Sequence, residues 1–308
     1  MNNRSIFYVG DTTNGRPALD RIYAVGSLAG IAGDDASSRK MADGFSVPFF
    51  DSTRINDAPS MERLNFLAPD LIVNFNSTVL FSKDLLGVPR HGAINFHPGP
   101  LPEYAGLFVN QWAIINGEAE FGAAIVFMDQ GIDTGPIIAE NRFPIEEKNT
   151  GLTLYAKAVR EGAILLDNVI EGFLEGGPIV AKPQDLSRRT YYAKNLLQSG
   201  DVDFSLPRRD IVNFVRALSY RPFISPTYQP VVSFHGKTVE IISAQASRSA
   251  MGTGRKAGTI LDIGEKGILV MAGDGPVRLT RCFLDDGPGP ASAAARTLKL
   301  QPGDRFGT

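Results

Sequence analysis

Two polar side chains stand two residues apart in the largely apolar start of 92–106, GAINFHPGPLPEYAG, and a carboxylate follows in 128–136, MDQGIDTGP. Asn95 and His97, at i and i+2 of a predicted strand, project from the same face. Asp133 falls in a glycine-flanked loop after a second apolar run, from which a carboxylate can reach back toward the imidazole. The combination suits attack of a nucleophile on a carbonyl carbon. Imidazole carries protons, the amide donates to the oxygen that gains negative charge, and the carboxylate fixes the imidazole.

Each residue also has an ordinary reading. A lone His in an apolar run packs in a core or a turn more often than it catalyses. Asn95 would then satisfy backbone groups at a strand end, and Asp133 would be a turn residue beside Gly131 and Gly135. Two features favour chemistry. Pro98, Gly99 and Pro100 make a rigid exit that holds His97 at the carboxyl end of its strand, and three polar groups converging on one sheet edge form a constellation.

The elements that must position these groups are legible along the chain. Strands are predicted at 5–9, 24–33, 47–50, 71–75 and 92–97, separated by helices at 18–22, 34–40, 60–66 and 82–86. A helix packed on the sheet is expected within 106–116, then strands at 122–129 and 135–145 and a long helix, capped by Thr150, at 152–174. This alternation argues for a doubly wound α/β domain with its ligand beyond the carboxyl ends of the strands, where His97 and Asp133 fall. Beyond a helix at 209–218, short strands with glycine turns predict a small antiparallel barrel. The expected division is a catalytic domain at 1–178, a polar linker at 179–202 that wraps the first domain, and a barrel domain at 203–308. The tail from Asp285, rich in Gly, Pro and Ala, is expected to be loosely ordered until the last few residues.

Composition narrows the function classes. The 308 residues are 43% hydrophobic and 21% charged, with a formal net charge of -2. No global basic field points to nucleic acid or an anionic membrane. One Cys and three His cannot assemble a Cys/His metal cluster or an internal disulfide, so the expectation is chemistry without a metal in a reducing, cytoplasmic setting. The first apolar run meets Asp and Asn too soon for a signal peptide, and no apolar run is long enough for a membrane span. The GDTTNG stretch at 10–15 lacks the glycine spacing of a dinucleotide fingerprint, which disfavours a nicotinamide enzyme.

The stretch 69–138, from PDLIVNFN through HPGPLPEYAG to IDTGPII, resembles the formyltransferases that use 10-formyltetrahydrofolate, among them the methionyl-tRNA, glycinamide ribonucleotide and amino-sugar enzymes. Its Asn-x-His, Leu-Pro-x-Tyr-x-Gly and Asp-x-Gly elements are specific in combination. The resemblance implies that Asn95, His97 and Asp133 are the catalytic triad. It also implies a pterin pocket made by the backbone of Ser77, Thr78, Val79 and Leu80 and by the loop Met128, Asp129, Gln130, Gly131 and Ile132. Leu80 and Ile132 would pack on the ring; core packing is the alternative for both side chains. A second stretch, DVDFSLPRRDIVNFVRALSYRPF at 201–223, resembles the entry to the carboxyl-terminal domain of the methionyl-tRNA and amino-sugar enzymes. Its Asp203–Phe204 pair and the Arg216–Ala217 helix end imply an open barrel of the oligonucleotide-binding type. Implied by the same likeness is a direct transfer, in which a neutral amine attacks the formyl carbon while Asn95 and protonated His97 stabilise the oxyanion and Asp133 tunes His97.

The departures bear on the acceptor. The Gly-Thr-Pro-x-Phe-Ala opening and the long basic loop of methionyl-tRNA formyltransferases are absent, and Ala105 stands where a basic residue is usual. The expectation is therefore a small or carrier-linked amine, such as a nucleotide amino sugar or an amino-acid-derived metabolite. Charged tRNA is the first alternative, followed by hydrolysis of the folate and by a folate-binding module without turnover. Arg188, Arg189, Tyr191 and Tyr192 could touch RNA, but read better as solvated linker residues. Tyr104, Asn110, Gln111 and Tyr220 are placed on the acceptor side, with Trp112 read as helix packing and Phe223 as a further cover. The sequence assigns no oligomeric state.

Overall fold

The computed structural model describes residues 4–249, 254–284 and 287–307. The chain divides into two compact units that interleave in sequence, one of residues 1–106, 120–143 and 156–192, the other of 107–119, 144–155 and 193–308.

The first unit is built on one sheet. Strands β1 (Ile6–Gly10), β2 (Leu28–Gly33), β3 (Phe49–Asp51), β4 (Leu71–Phe75) and β5 (Ala93–His97) are parallel, and β7 (Glu120–Phe127) runs antiparallel beside β5. Together with β8 (Ile137–Pro144) the order is β3-β2-β1-β4-β5-β7-β8, and the two-residue strand β6 (Ala105–Gly106) lies outside it. Five consecutive buried residues in β4, LIVNF, are what a strand covered on both faces requires. Helices α1 (Arg16–Ala24), α2 (Ala36–Phe45), α3 (Ala58–Leu67) and α4 (Lys83–Leu86) make the crossovers. The predicted second strand starts later than expected, at Leu28, because α1 continues to Ala24 and a turn at Gly26, with φ +69, precedes the strand.

The long helix α6 (Gly151–Leu174) fixes the back of β5. A Cβ on Gly162 would stand 2.0 Å from the Phe96 ring, so only glycine lets the helix approach that closely. Phe96 also stacks on Phe75 at 4.7 Å. With Phe96 committed to this face, period-two alternation sends Asn95 and His97 to the other. Arg4 closes the end of the same helix, donating from Nη1 to the carbonyls of Phe173 and Gly177 at 2.7 Å each. A cation at a helix carboxyl terminus meets both the orphan carbonyls and the negative end of the dipole.

In the second unit, β10 (Val231–Phe234), β11 (Lys237–Ala246), β12 (Ile260–Gly264), β13 (Gly267–Ala272), β14 (Gly275–Leu284) and β15 (Gly287–Pro290) form a curled antiparallel half-barrel, ordered β10-β11-β14-β13-β12 with β15 on β14. Ile211, Val215, Ile241, Val270, Val277 and Leu279 lie at its core, the first two contributed by α7 (Arg208–Leu218). The short helix α5 (Val109–Ile115) packs on α7.

The tail departs from expectation more clearly. Asp285 and Asp286 lie outside the described residues, but the chain beyond them forms β15 and then α8 (Ala291–Leu298), with Ala291, Ala294 and Ala295 buried. Alanines lose no side-chain entropy in a helix, and the proline at the start costs the helix no hydrogen bond. A composition that read as loose is therefore a compact helix once its small residues have a surface to pack on. Among the described residues, no helix is long and apolar enough to cross a membrane.

Candidate active site

His97 ends β5 with only 3% of its surface exposed. Its Nε2 lies 2.6 Å from the main-chain carbonyl of Tyr104. A carbonyl can only accept, so Nε2 carries a proton and the ring's variable proton position is Nδ1. Nδ1 faces Asp133 Oδ1 at 3.4 Å. With a proton on Nδ1 this contact is an ion pair; without one, two acceptors face each other.

Asp133 is held from three directions. Its Oδ2 accepts from the Gly106 N–H at 2.9 Å. The φ of +100 at Gly106 aims that N–H, and a Cβ there would stand 2.4 Å from the Tyr192 carbonyl oxygen. Asp133 itself has φ +56, a left-handed conformation that Asp tolerates better than most residues but still at a cost of about 1 kcal/mol. Its carbonyl accepts from Gln184 Nε2 at 3.0 Å, and the same nitrogen bonds the Gly135 carbonyl at 2.6 Å. Arg189 Nη2 donates to the Ile132 carbonyl at 2.9 Å. At the start of the loop, Asp129 Oδ1 accepts from the Gly131 N–H and the Thr134 hydroxyl.

Residues 182–192 thus run across the first unit while most of them stay exposed. They form a strap across the Asp133 loop, with β9 (Tyr191–Tyr192) paired in parallel to β6 and Tyr192 stacked on Tyr104 at 5.1 Å. The reading of Arg189 and Tyr192 as solvated is overturned: Arg189 Nε and Tyr192 are buried. The polar composition of the segment concealed this, since Gln and Arg donate to carbonyls as readily as to water. Arg188 pairs with Glu103, which also meets Arg142 at 3.2 Å.

Asn95 is half-buried beside His97. Its Oδ1 accepts from Asn74 Nδ2 at 3.0 Å, and Asn74 stands opposite it in the β4–β5 register. The run of residues after β4 is drawn in by Asn76, whose Nδ2 reaches Asp11 Oδ2, and by Asn56, which donates to the Leu80 carbonyl at 2.9 Å. A cavity of about 270 Å³ opens at the carboxyl ends of β1, β2 and β4, lined by Asp11, Asp34, Asp35, Asn76, Ser77 and Thr78 among others. Burial pushes the Asp11 carboxyl up, but hydrogen bonds from Asn14, Asn76 and the Thr13 N–H outweigh it and hold the group below the usual carboxylate range.

A Formyl transferase family domain matches residues 28–170, and a Formyl transferase, C-terminal domain matches 197–288. The methionyl-tRNA formyltransferase of Myxococcus xanthus is 32% identical over 76% of this chain and 71% of its own length; that of Geobacter sulfurreducens is 28% identical over 87% and 82%. The chain belongs to the formyl transferase family. It is a formyl-transferring enzyme. Among solved structures, an N-formyltransferase from Helicobacter canadensis, crystallised with folinic acid and dTDP-3-aminofucose, shares the fold with a TM-score of 0.69, 16% identity, and coverage of 90% of this chain and 98% of that one.

The other predicted residues of this formyl transferase fall into two groups. Leu80 and Ile132 are 69% and 42% exposed, which excludes core packing for both, whereas Val79 and Met128 pack against the cluster around Phe7, Phe50 and Leu64. The Tyr104 ring is buried in its stack with Tyr192, so what reaches His97 is its carbonyl. In the second unit, Asn110 bonds the Gly151 carbonyl and the Tyr220 hydroxyl, at 2.9 and 2.7 Å, and Gln111 bonds Ser225 and Thr227, at 3.2 and 2.9 Å. Those amides hold the unit's own segments together. Phe223 is exposed. Asn74 and Gln184 were not singled out in the sequence, and Arg189 was considered there only as an RNA contact or a solvated linker residue. The one available signal was Asn74, an amide inside an otherwise apolar strand.

Proposed function

We propose that this enzyme transfers a formyl group from 10-formyltetrahydrofolate to the amine of a small or carrier-linked acceptor. The observation that carries the reading is the buried His97–Asp133 pair beside Asn95, whose Nδ2 meets no protein acceptor among the described residues. The flanks fit the folate. Two large apolar side chains, Leu80 and Ile132, stay exposed beside the polar backbone of 77–80 and 128–132, which suits a flat heterocycle with hydrogen-bonding edges. The folate supplies the formyl carbon. Asn95 Nδ2 donates to the formyl oxygen as it gains charge, and His97 Nδ1 holds the proton that completes the electrostatic stabilisation. Asp133 fixes the imidazole and takes part in moving the amine proton toward N10 of the folate; the bond between N10 and the formyl carbon breaks as N10 is protonated, and tetrahydrofolate leaves.

The cavity at the carboxyl ends of β1, β2 and β4 shares Ser77 and Thr78 with the residues given to the folate, and its other walls bear on what can approach from that side. The loop after β1 spends the N–H groups of Thr13 and Asn14 on its own Asp11 carboxylate, leaving them unavailable to an incoming phosphate. With Asp34 and Asp35 also present, the surroundings favour a cationic or neutral acceptor over an anion at this position. The second reading, methionyl-tRNA, has two supports of its own: the activity of the named relatives, and fourteen Lys and Arg against nine Asp and Glu in 203–308. A basic segment is what a phosphate backbone requires.

The test incubates the enzyme with 10-formyltetrahydrofolate and a panel of amines, comprising nucleotide amino sugars, ornithine derivatives and charged initiator tRNA, and follows tetrahydrofolate release. Acceptor-dependent release with a small amine is the expected result. Preference for charged tRNA would replace the small-amine reading, and release at one rate regardless of amine would indicate hydrolysis.

A further inference from the structure

The geometry points to Asn74 as the residue that sets the orientation of the Asn95 amide. The inference rests on the formyl-transfer reading above, in which Asn95 donates to the formyl oxygen.

An asparagine amide has two faces of similar shape and opposite hydrogen-bonding character. If Asn95 turned through 180° about its last torsion, its oxygen would face the developing negative charge and repel it. The neighbour of Asn95 in the register therefore decides whether it helps or hinders. That neighbour is Asn74, 3% exposed, in a strand otherwise made of Leu71, Ile72, Val73 and Phe75. Its Nδ2 points to Asn95 Oδ1 at 3.0 Å and to the Ser77 carbonyl at 3.5 Å. The Ser77 carbonyl can only accept, so it fixes which end of the Asn74 amide faces this way. Asn95 must then present its oxygen to Asn74 and its Nδ2 away from it. The reverse arrangement sets two donors against each other.

Asn74 does this at a cost to the fold. Its Oδ1 is buried and has no hydrogen-bond partner among the described residues. Leucine, of similar shape, would remove that orphan acceptor and suit the apolar strand. A buried polar group that is only half satisfied, and that a hydrophobic residue would replace at a gain in stability, is expected where function overrides packing. Asn74 is a positioning residue, acting through Asn95.

The test compares Asn74→Leu, Asn74→Asp and Asn95→Ala, and the double variants of Asn95→Ala, by tetrahydrofolate release from 10-formyltetrahydrofolate with the best acceptor of the panel. Asn95→Ala is expected to lose roughly 100- to 1000-fold in kcat. Asn74→Leu should lose roughly tenfold, about one hydrogen bond's worth of preference, with KM for the folate within about twofold of wild type and Tm equal or higher. Asn74→Asp, which offers Asn95 only acceptors when ionised, should lose more than Asn74→Leu. In the Asn95→Ala background neither change should lower kcat further. A second readout needs no acceptor: the side-chain amide proton signal of Asn95, assigned by its loss in Asn95→Ala, should be sharp in the wild-type protein and broadened by exchange in Asn74→Leu. Wild-type turnover in Asn74→Leu alongside a crippled Asn95→Ala would overturn the inference alone. So would equal losses with and without Asn95. Wild-type turnover in Asn95→Ala would overturn both the inference and the reading beneath it.

Discussion

The two units treat their buried polar groups differently. In the second, Asn110, Gln111, Tyr220, Ser225 and Thr227 bond to one another and to a main-chain carbonyl, and burial pushes the Tyr220 phenol up to about 12. In the first, the three buried side-chain atoms without a partner among the described residues are Asn74 Oδ1, Gln184 Oε1 and Arg189 Nε. All three belong to residues that hold Asn95 or the Asp133 loop. A fully paired network rigidifies and asks for nothing more. A network that leaves groups unpaired costs stability, and under the proposed function that cost gathers where a reaction needs atoms held at fixed positions.

The contrast is sharpest if the largest effect is removed first. Replacing His97 by Ala, or Asp133 by Asn, should lower formyl transfer by roughly 1000-fold, while circular dichroism and Tm stay close to the wild type. Near-native turnover in either variant would break the assignment of the first unit as the place of chemistry. One step down, Gln184→Ala frees the carbonyls of Asp133 and Gly135 and lets the strained loop relax. The expected loss is about tenfold in kcat, with a rise in the folate KM because Ile132 lies in the same loop. A loss of Tm with unchanged kinetics would reduce the strap to a structural brace.

The smallest effects should come from the second unit. Tyr220→Phe removes one acceptor from Asn110, costing about 1 kcal/mol at neutral pH and leaving kcat within about twofold. The pH dependence provides the check. A phenol whose folded-state value is raised contributes stability that is fully present below its ordinary value near 10 and is lost as pH rises through about 12. Because burial also raises the Tyr8 phenol in both proteins, the check is the difference: across that window the wild type should lose on the order of 2 kcal/mol more than the Phe variant. If Tyr220→Phe abolished turnover instead, the paired network would belong to the acceptor side after all, and the contrast would fail.

Much of this was visible in residue order. Alternating apolar runs marked β1, β4, β5 and β7, and the Asn-x-His spacing put Asn95 and His97 on one face before any contact was known. Two kinds of feature were not visible: the partners of the segment expected to wrap the first domain, and the tail helix. The strap at 182–192 has polar side chains whose partners are main-chain carbonyls some fifty residues away, and no sequence pattern marks a carbonyl as needing a donor. The tail helix α8 was hidden because Gly, Pro and Ala together read as loose chain, while three buried alanines need only a nearby surface.

The sequence by itself determined which reactive groups exist and which face of β5 carries two of them, because strand periodicity is a local property of covalent geometry. Only the tertiary structure decided how those groups point. His97 is aimed by a carbonyl seven residues on, Asp133 by a glycine N–H and a distant strap, and Asn95 by its neighbour in the next strand. Orientation depends on partners brought together by folding, and hydrogen bonds fix direction only when both ends are in place.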